Sequence, residues 1–331
     1  MRLIQDLDDL SEAERGGAIA IGNFDGVHRG HANIIARLLA RAKDVGGPSV
    51  VFTFDPHPVR LLRPDEVPPP LTWTDRKAEL LSDLGVDAMV AYPTDTALLQ
   101  LSADAFFDRI VGEMLSARAI VEGPNFFFGH DRQGDVSRLA QLAEAASISL
   151  DIVEAATVGE TLAGENSSQA DLLRSEPLDA AVADQVVSSS LIRRLIADGD
   201  VGTAGRLLTQ PYRIRGMVTH GAGRGAEIGF PTANLEAIDT LLPGEGVYAG
   251  RGRTNGESWV AAINIGANPT FGEAHLKVEI HLVGCRKQLY GQPLEIDFLA
   301  RLRDVQQFGS VDELVAQLNE DVQAACRIAS E

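Results

Sequence analysis

Between residues 18 and 155 the sequence alternates, and after residue 210 it stops alternating. Five apolar runs read as strands: "AIAIG" (18–22), "SVVFTF" (49–54), "DAMVAYP" (87–93), "ARAIVEG" (117–123) and "ISLDIVEA" (148–155). Between them, residues 31–43, 74–85, 102–115 and 134–147 carry apolar residues at helical spacing, as in the stripe Ile34, Ile35, Leu38, Leu39 and Ala42. Strand–helix alternation needs crossover connections. Crossovers make neighbouring strands parallel and cover both faces of the sheet. The first half is therefore predicted to be α/β, with a parallel sheet.

The second half has a different texture. "YRIRGMVTHG", "GVYAGRGRT", "SWVAAINIG", "KVEIHLVG" and "LEIDFLARL" are strand-like, and Asn255-Gly256 between two of them is a hairpin turn signal. Residues 310–329 read as a closing helix, with Ser310 as its cap and Glu313 completing a capping box. A small antiparallel barrel with one helix is expected, and the domain boundary near 207–211. The stretch 158–185 is small, acidic and aperiodic, and is expected to be a mobile insertion or lid. "VSSSLIRRLIADGDVGTAGRLL" after it reads as serine-capped helical material.

Composition narrows the function classes. A formal net charge of −18 argues against a nucleic-acid or anionic-membrane partner. Lysine is confined to Lys43, Lys77, Lys277 and Lys287, so arginine is the expected anion-binding side chain. Cys285 and Cys326 form neither a CxxC pair nor a zinc spacing, and a reduced, cytoplasmic protein is expected. The first residues, "MRLIQDLDDLSEAERGG", lack the apolar core of a signal peptide, and no run approaches membrane-spanning length.

"GNFDGVHRGH" (22–31) sets His28 and His31 three apart where the first strand should pass into the first helix. Ligands of parallel sheets bind outside the carboxyl ends of the strands, and the free N–H groups of a helix start attract anions. Two imidazoles there can donate to one phosphate and, if charged, stabilise a phosphoryl transition state. On spacing alone, two surface histidines at a helix start are slightly the better reading. No third His or Cys lies close enough in sequence for a metal. "VSSSLIR" (187–193), "TFDPHP" (53–58) and "GPNFFFG" (123–129) each have a plain reading too: a helix cap, a rigid turn and core. "GAGRGAEIGFPTANL" (221–235) is no dinucleotide fingerprint, because its spacing is wrong and no helix pattern follows; there is no Walker A lysine either. In "KVEIHL", Glu279 and His281 share one strand face, opposite Val278, Ile280 and Leu282.

Taken together, these strings resemble the bifunctional riboflavin kinase/FAD synthetase family of bacteria over nearly the whole chain. "GVYAG" (246–250), "NIGANPTFG" (264–272), "LYG" (289–291) and "LRDVQQF" (302–308) extend the resemblance. It implies a Rossmann-like nucleotidyltransferase domain over 1–207, an FMN adenylyltransferase, and a riboflavin kinase barrel over 208–331. It further implies riboflavin, FMN, FAD and ATP as substrates and products, with Mg²⁺ as cofactor. The family's catalytic glutamate matches Glu279, and Thr232 and Asn234 of the PTAN segment match its Mg²⁺ ligands. His28, His31 and Arg193 match catalytic positions of the adenylyltransferase. Nucleotide contacts fall on Gly22, Asn23, Asp25 and Ser189, and in the kinase on Gly221, Gly223, Arg224 and Gly229. Flavin contacts fall on His57, Asn125, Phe128 and Arg303. Small-molecule partners and a monomer or weak homo-oligomer are expected. Three departures stand out: the long 158–185 stretch, Gly284-Cys285 where the family usually has Asp-Phe, and Val305 where glutamate is frequent.

Overall fold

A computed structural model describes residues 1–163, 180–221, 223–268 and 273–330. By their contacts the residues form two compact units, Met1–Pro68 with Trp73–Thr157, and Pro69–Thr72 with Val158–Glu331.

The first unit is a six-stranded, all-parallel sheet in the order β1-β4-β3-β2-β5-β6. Its strands are β1 (Arg2–Ile4), β2 (Ala18–Ile21), β3 (Ser49–Asp55), β4 (Ala88–Pro93), β5 (Ala119–Glu122) and β6 (Ser149–Ile152). Helices α1 (Arg29–Val45) and α2 (Thr74–Asp83) cover one face, where Ile35, Leu38, Ala78 and Leu81 meet Ala18, Ala20 and Val51. The other face is covered by α3 (Ala103–Phe106, continued as a π-wound stretch, Phe107–Met114) and α4 (Val136–Ala145). There Phe106, Ile110 and Leu139 meet Ile19, Phe52 and Ile120. The parallel sheet predicted from alternation is present, with β1 as an additional edge. Three residues are too few to show a period. The strand order reverses beside β2, between β3 and β5, which is the crevice where such sheets bind ligands.

The second unit contains a closed antiparallel barrel, β10-β11-β8-β7-β12-β9. Its strands are β7 (Tyr212–Thr219), β8 (Ala233–Glu236), β9 (Gly246–Thr254), β10 (Glu257–Asn268), β11 (Glu273–Leu282) and β12 (Pro293–Arg303). The expected hairpin joins β9 to β10, with Asn255 (φ 49°) and Gly256 (φ 78°) both left-handed. The core holds Tyr212, Ile214, Tyr248, Ile263, Ile280 and Phe298. β8 was not expected as a strand, because "ANLE" is short and half polar; its partners β7 and β11 create it.

Helices α5 (Ser189–Ala197) and α6 (Val201–Leu207) belong by contact to this second unit, and α6 lies on β7 and β12. The contacts thus divide the chain at Thr157/Val158, whereas the change of sequence texture falls near 207. Of the 158–185 stretch, residues 164–179 lie outside the described residues. Its two ends form short helices, Val158–Ala163 and Ala180–Ala183, and Val158 is fully buried with its N–H on Gln185 O (2.9 Å). The closing helix α7 (Val311–Ser330) starts at the expected Ser310 cap, whose Oγ accepts from Glu313 N (3.2 Å). Glu313 reaches back to Gly309 N (2.9 Å), one residue before the position that would complete the capping box.

Candidate active sites

In the first unit, β2 ends at Ile21 and a turn over residues 22–27 leads to α1. The turn is tight. Phe24 (φ 46°), Gly26 (φ 83°) and Val27 (φ 41°) are all left-handed, and at a buried β-branched valine that conformation costs about 1–3 kcal/mol. His28 is the N-cap of α1: its Nδ1 accepts from His31 N (3.2 Å), and the two rings stack at 3.6 Å. An accepting Nδ1 carries no proton, so in the neutral ring the proton sits on Nε2. Burial pushes the His28 imidazolium down to about 4, against a pull upward from Asp25. His31 is held well below the usual histidine range by burial, then by His28 and Lys77. Both rings are therefore neutral donors at pH 7 and not the charged groups that the spacing allowed. Two buried polar atoms in this turn have no hydrogen-bond partner, Asn23 Oδ1 and His31 Nδ1.

Around the turn, Thr53 Oγ1 donates to Asn23 O (3.2 Å), and Lys77 Nζ donates to Thr53 Oγ1 (3.3 Å). Gly22 N is tied to Phe52 O (3.0 Å), and Asp25 is buried. Across the crevice, Glu122 at the end of β5 accepts from Ile21 N (2.7 Å) and takes the place of the next ladder carbonyl. Burial pushes its carboxyl well above the ordinary carboxylate range, against the pull of the Ile21 N–H. His57 Nδ1 accepts from Val59 N (3.2 Å) and caps a short turn. Asn125 is exposed, whereas Phe128 is buried between Phe106 and Phe126. Ser189 and Arg193 lie in the second unit on α5, which is capped by Ser188. Arg193 Nε donates to Pro69 O (2.9 Å).

In the barrel, strand register puts four polar residues in one cross-strand row: Thr219 opposite Asn234, Asn234 opposite Glu279, and Glu279 opposite Asn264. Directly paired residues share a face. The interior neighbours Val218, Leu235, Ile280 and Ile263 are buried, so the row stands on the outer face, as expected for Glu279. The glycine-rich segment lies over one end of this row. A Cβ on Gly221 would come within 2.0 Å of Asn234 Nδ2, and one on Gly225 within 2.4 Å of Phe230 O. Gly223 (φ 75°) and Gly229 (φ 90°) bracket the short helix Arg224–Glu227. His281 fixes the neighbouring loop through Nδ1 to Pro231 O (2.9 Å). Thr219 Oγ1 is buried without a partner beside Asn234. Thr232 is exposed near the same strand end. Arg303 is gripped by Asp321 of α7, with NH2 to Oδ2 at 2.7 Å, and so fastens that helix to β12.

Three polar contributors were not singled out by sequence, Lys77, Thr219 and Asn264; His281 was placed on the Glu279 face without a role. Register alone identifies Thr219 and Asn264. Lys77 had no signal beyond its place in the first turn of a helix.

Two family models match the chain: FAD synthetase over residues 10–166 and riboflavin kinase over residues 208–329. The bifunctional riboflavin kinase/FMN adenylyltransferase of Pseudomonas fluorescens is 36% identical over 100% of this chain and 98% of its own length. The chain belongs to this family. The Escherichia coli K12 member is 31% identical over 97% of this chain and 96% of its own. A crystal structure of a protein named macrolide-efflux protein, from Streptococcus pneumoniae, shares the fold: TM-score 0.79 at 27% identity, covering 98% of this chain and 97% of that one. Among the described residues of this family member, no helix is long and apolar enough to cross a membrane.

Proposed function

We propose that the chain makes both flavin cofactors. The barrel unit transfers the γ-phosphate of ATP to the 5′-hydroxyl of riboflavin, giving FMN. The sheet unit joins FMN to the AMP moiety of ATP, giving FAD and pyrophosphate. The observation that carries this reading is that a single chain contains both matched segments, 10–166 and 208–329.

Glu279 is the proposed base, accepting the riboflavin hydroxyl proton as that oxygen attacks phosphorus. The rim suits Mg²⁺. Thr232 hydroxyl, Asn234 amide oxygen and the partnerless Thr219 Oγ1 are hard oxygen donors, and Mg²⁺ typically takes a few such groups together with substrate phosphates. Bound there, it would neutralise phosphate charge. Gly221, Gly223, Arg224 and Gly229 belong to the segment proposed to cover ATP.

In the adenylyl transfer the FMN phosphate is itself the nucleophile, so the site has to position and to stabilise charge. The Nε2–H of His28, the His31 ring and the positive N-terminal end of α1 are the proposed donors. Gly22, Asn23 and Asp25 would line the nucleotide; Ser189 and Arg193, on α5 of the second unit, are proposed nucleotide contacts on the family resemblance alone. His57 and Asn125 are the proposed flavin contacts. Phe128 and Arg303, engaged in core packing and in the Asp321 pair, would shape the flavin sites from behind. We place the enzyme in the cytoplasm on its two free cysteines, as a monomer or weak homo-oligomer, and its charge of −18 argues against a nucleic-acid partner.

Pure protein incubated with riboflavin, ATP and Mg²⁺ should convert riboflavin first to FMN and then to FAD on chromatography. Unchanged riboflavin, with flavin bound but not converted, would make the chain a flavin-binding protein and overturn the reading.

A further inference from the structure

Lysine is scarce in this chain, and one of its lysines is buried in the wall of the His28–His31 turn. Lys77 is 9% exposed. It stands one turn after Thr74 on the same face of α2. That face meets Thr53 and Asp55, which share a face of β3. Thr74 Oγ1 donates to Asp55 Oδ2 (2.6 Å), and Lys77 Nζ donates to Thr53 Oγ1 (3.3 Å). An ammonium has three donors. The acceptor found for it among the described residues is that single hydroxyl, at a long distance. Burial pushes the Lys77 ammonium below the usual lysine range, against an upward pull from Asp25 and Asp55, and Lys77 is close enough to His31 to disfavour a proton there. Burying a cation without a full set of acceptors is costly, and the turn beside it already has two partnerless polar atoms, Asn23 Oδ1 and His31 Nδ1.

The other cation of the turn, Arg29, is exposed at the start of α1 rather than buried beside the phosphate site. His28 and His31 are neutral, and a developing phosphoryl charge is best met by a preorganised cation. We propose that Lys77 is a nucleotide ligand of the adenylyl-transfer site, its ammonium taking phosphate oxygens gathered at the start of α1. The proposal rests on the reading of the sheet unit as an FMN adenylyltransferase. Thr53 and the two aspartates hold the ammonium in place between turnovers. The ligand is the pyrophosphate-bearing part of ATP, and in the reverse direction inorganic pyrophosphate.

Pyrophosphate gives a probe specific to this reaction, since riboflavin phosphorylation neither makes nor uses it. With full-length protein, FAD and pyrophosphate should return FMN and ATP. Lys77→Met should raise the KM for pyrophosphate and lower kcat/KM for FMN adenylylation by roughly 100-fold to 1000-fold, the loss of one strong transition-state contact. The KM for FAD and the rate of riboflavin phosphorylation should stay at wild-type values. Lys77→Arg should recover part of the loss. A folded Lys77→Met protein with wild-type KM for pyrophosphate overturns the proposal, as does one whose flavin and pyrophosphate KM values rise together. Should the variant not fold, wild-type protein labelled with ¹⁵N-lysine carries the test. The Lys77 Nζ signal should shift on titration with pyrophosphate, and a signal unmoved at saturation overturns the proposal. Wild-type protein that makes no FAD at all refutes instead the reading of the sheet unit.

Discussion

At the start of α1 the proposed chemistry is drawn from one short turn, residues 22–31, with Lys77 behind it. At the barrel rim it is spread over four strands, from Thr219 on β7 to Glu279 on β11. The turn is buried and strained, with neutral imidazoles and a helix terminus as donors. The rim is an outer strand face with an acidic residue, oxygen donors and a glycine-rich cover. Each arrangement suits its reaction. A phosphate nucleophile needs no base, so the turn has to supply donors and charge stabilisation but no proton acceptor. An alcohol nucleophile must lose a proton, so the rim keeps a carboxylate.

The sharpest way to break this contrast is at the carboxylate. Glu279→Gln should lower riboflavin phosphorylation by roughly 100-fold to 10,000-fold, the range for a general base. FAD synthesis from supplied FMN should persist, and parallel assays of the two rates check it. Equal losses in both would mean that the two regions are not chemically separate.

Next in size is the cap. His28→Asn keeps a side chain that caps helices well but removes the imidazole. FMN adenylylation should fall by roughly 100-fold to 1000-fold, while thermal unfolding and riboflavin phosphorylation change little. Normal FAD synthesis in that variant would reduce His28 to a helix cap.

The buried imidazoles also predict a pH signature. His28 titrates at about 4 in the folded chain and near 6.5 when unfolded. Between those values the unfolded state binds the proton. Stability from this group is therefore complete above pH 6.5 and is lost as pH falls toward 4. A shift of this size is worth about 3 kcal/mol. Denaturant unfolding of the sheet unit at pH 7, 5.5 and 4.5 should show the decline, and the His28→Asn variant should show less of it. An identical decline would place the titrating group elsewhere.

The smallest expected effect is at α7. Ser310→Ala removes the Oγ that accepts from Glu313 N and should cost about 1 kcal/mol of barrel stability. Both catalytic rates should hold at temperatures well below unfolding.

The two regions also differed in how far the sequence revealed them. The histidines, the turn glycines and the helix after them are neighbours in the chain, so their meeting could be anticipated. The rim could be anticipated only in part. Alternation put Glu279 on the outer face, but which residues stand beside it depends on register between strands far apart in sequence, so Thr219 and Asn264 stayed hidden. Lys77 was missed for a different reason. A lysine near a helix start normally reaches water, and its burial comes from the way Thr53, Asp55 and the 22–27 turn close around it. The parallel sheet and the barrel were legible because their periods run over many residues, whereas β1 and β8 are too short to display one. The neutral state of the histidines was not legible either, since it follows from burial.

The cross-strand row carries one more consequence. Thr219 on β7 and Glu279 on β11 are separated in the chain by three strands, β8, β9 and β10, yet both flank Asn234 on β8. The row is therefore complete only when β11 has inserted between β10 and β8, and the barrel closes only when β12 joins β7 to β9. Such long-range pairings form late and slowly. During synthesis the turn before α1 has all its local parts once the first helix has emerged, but the proposed kinase rim has no partial version. Its activity should appear in one step, as the last strand leaves the ribosome and the barrel shuts.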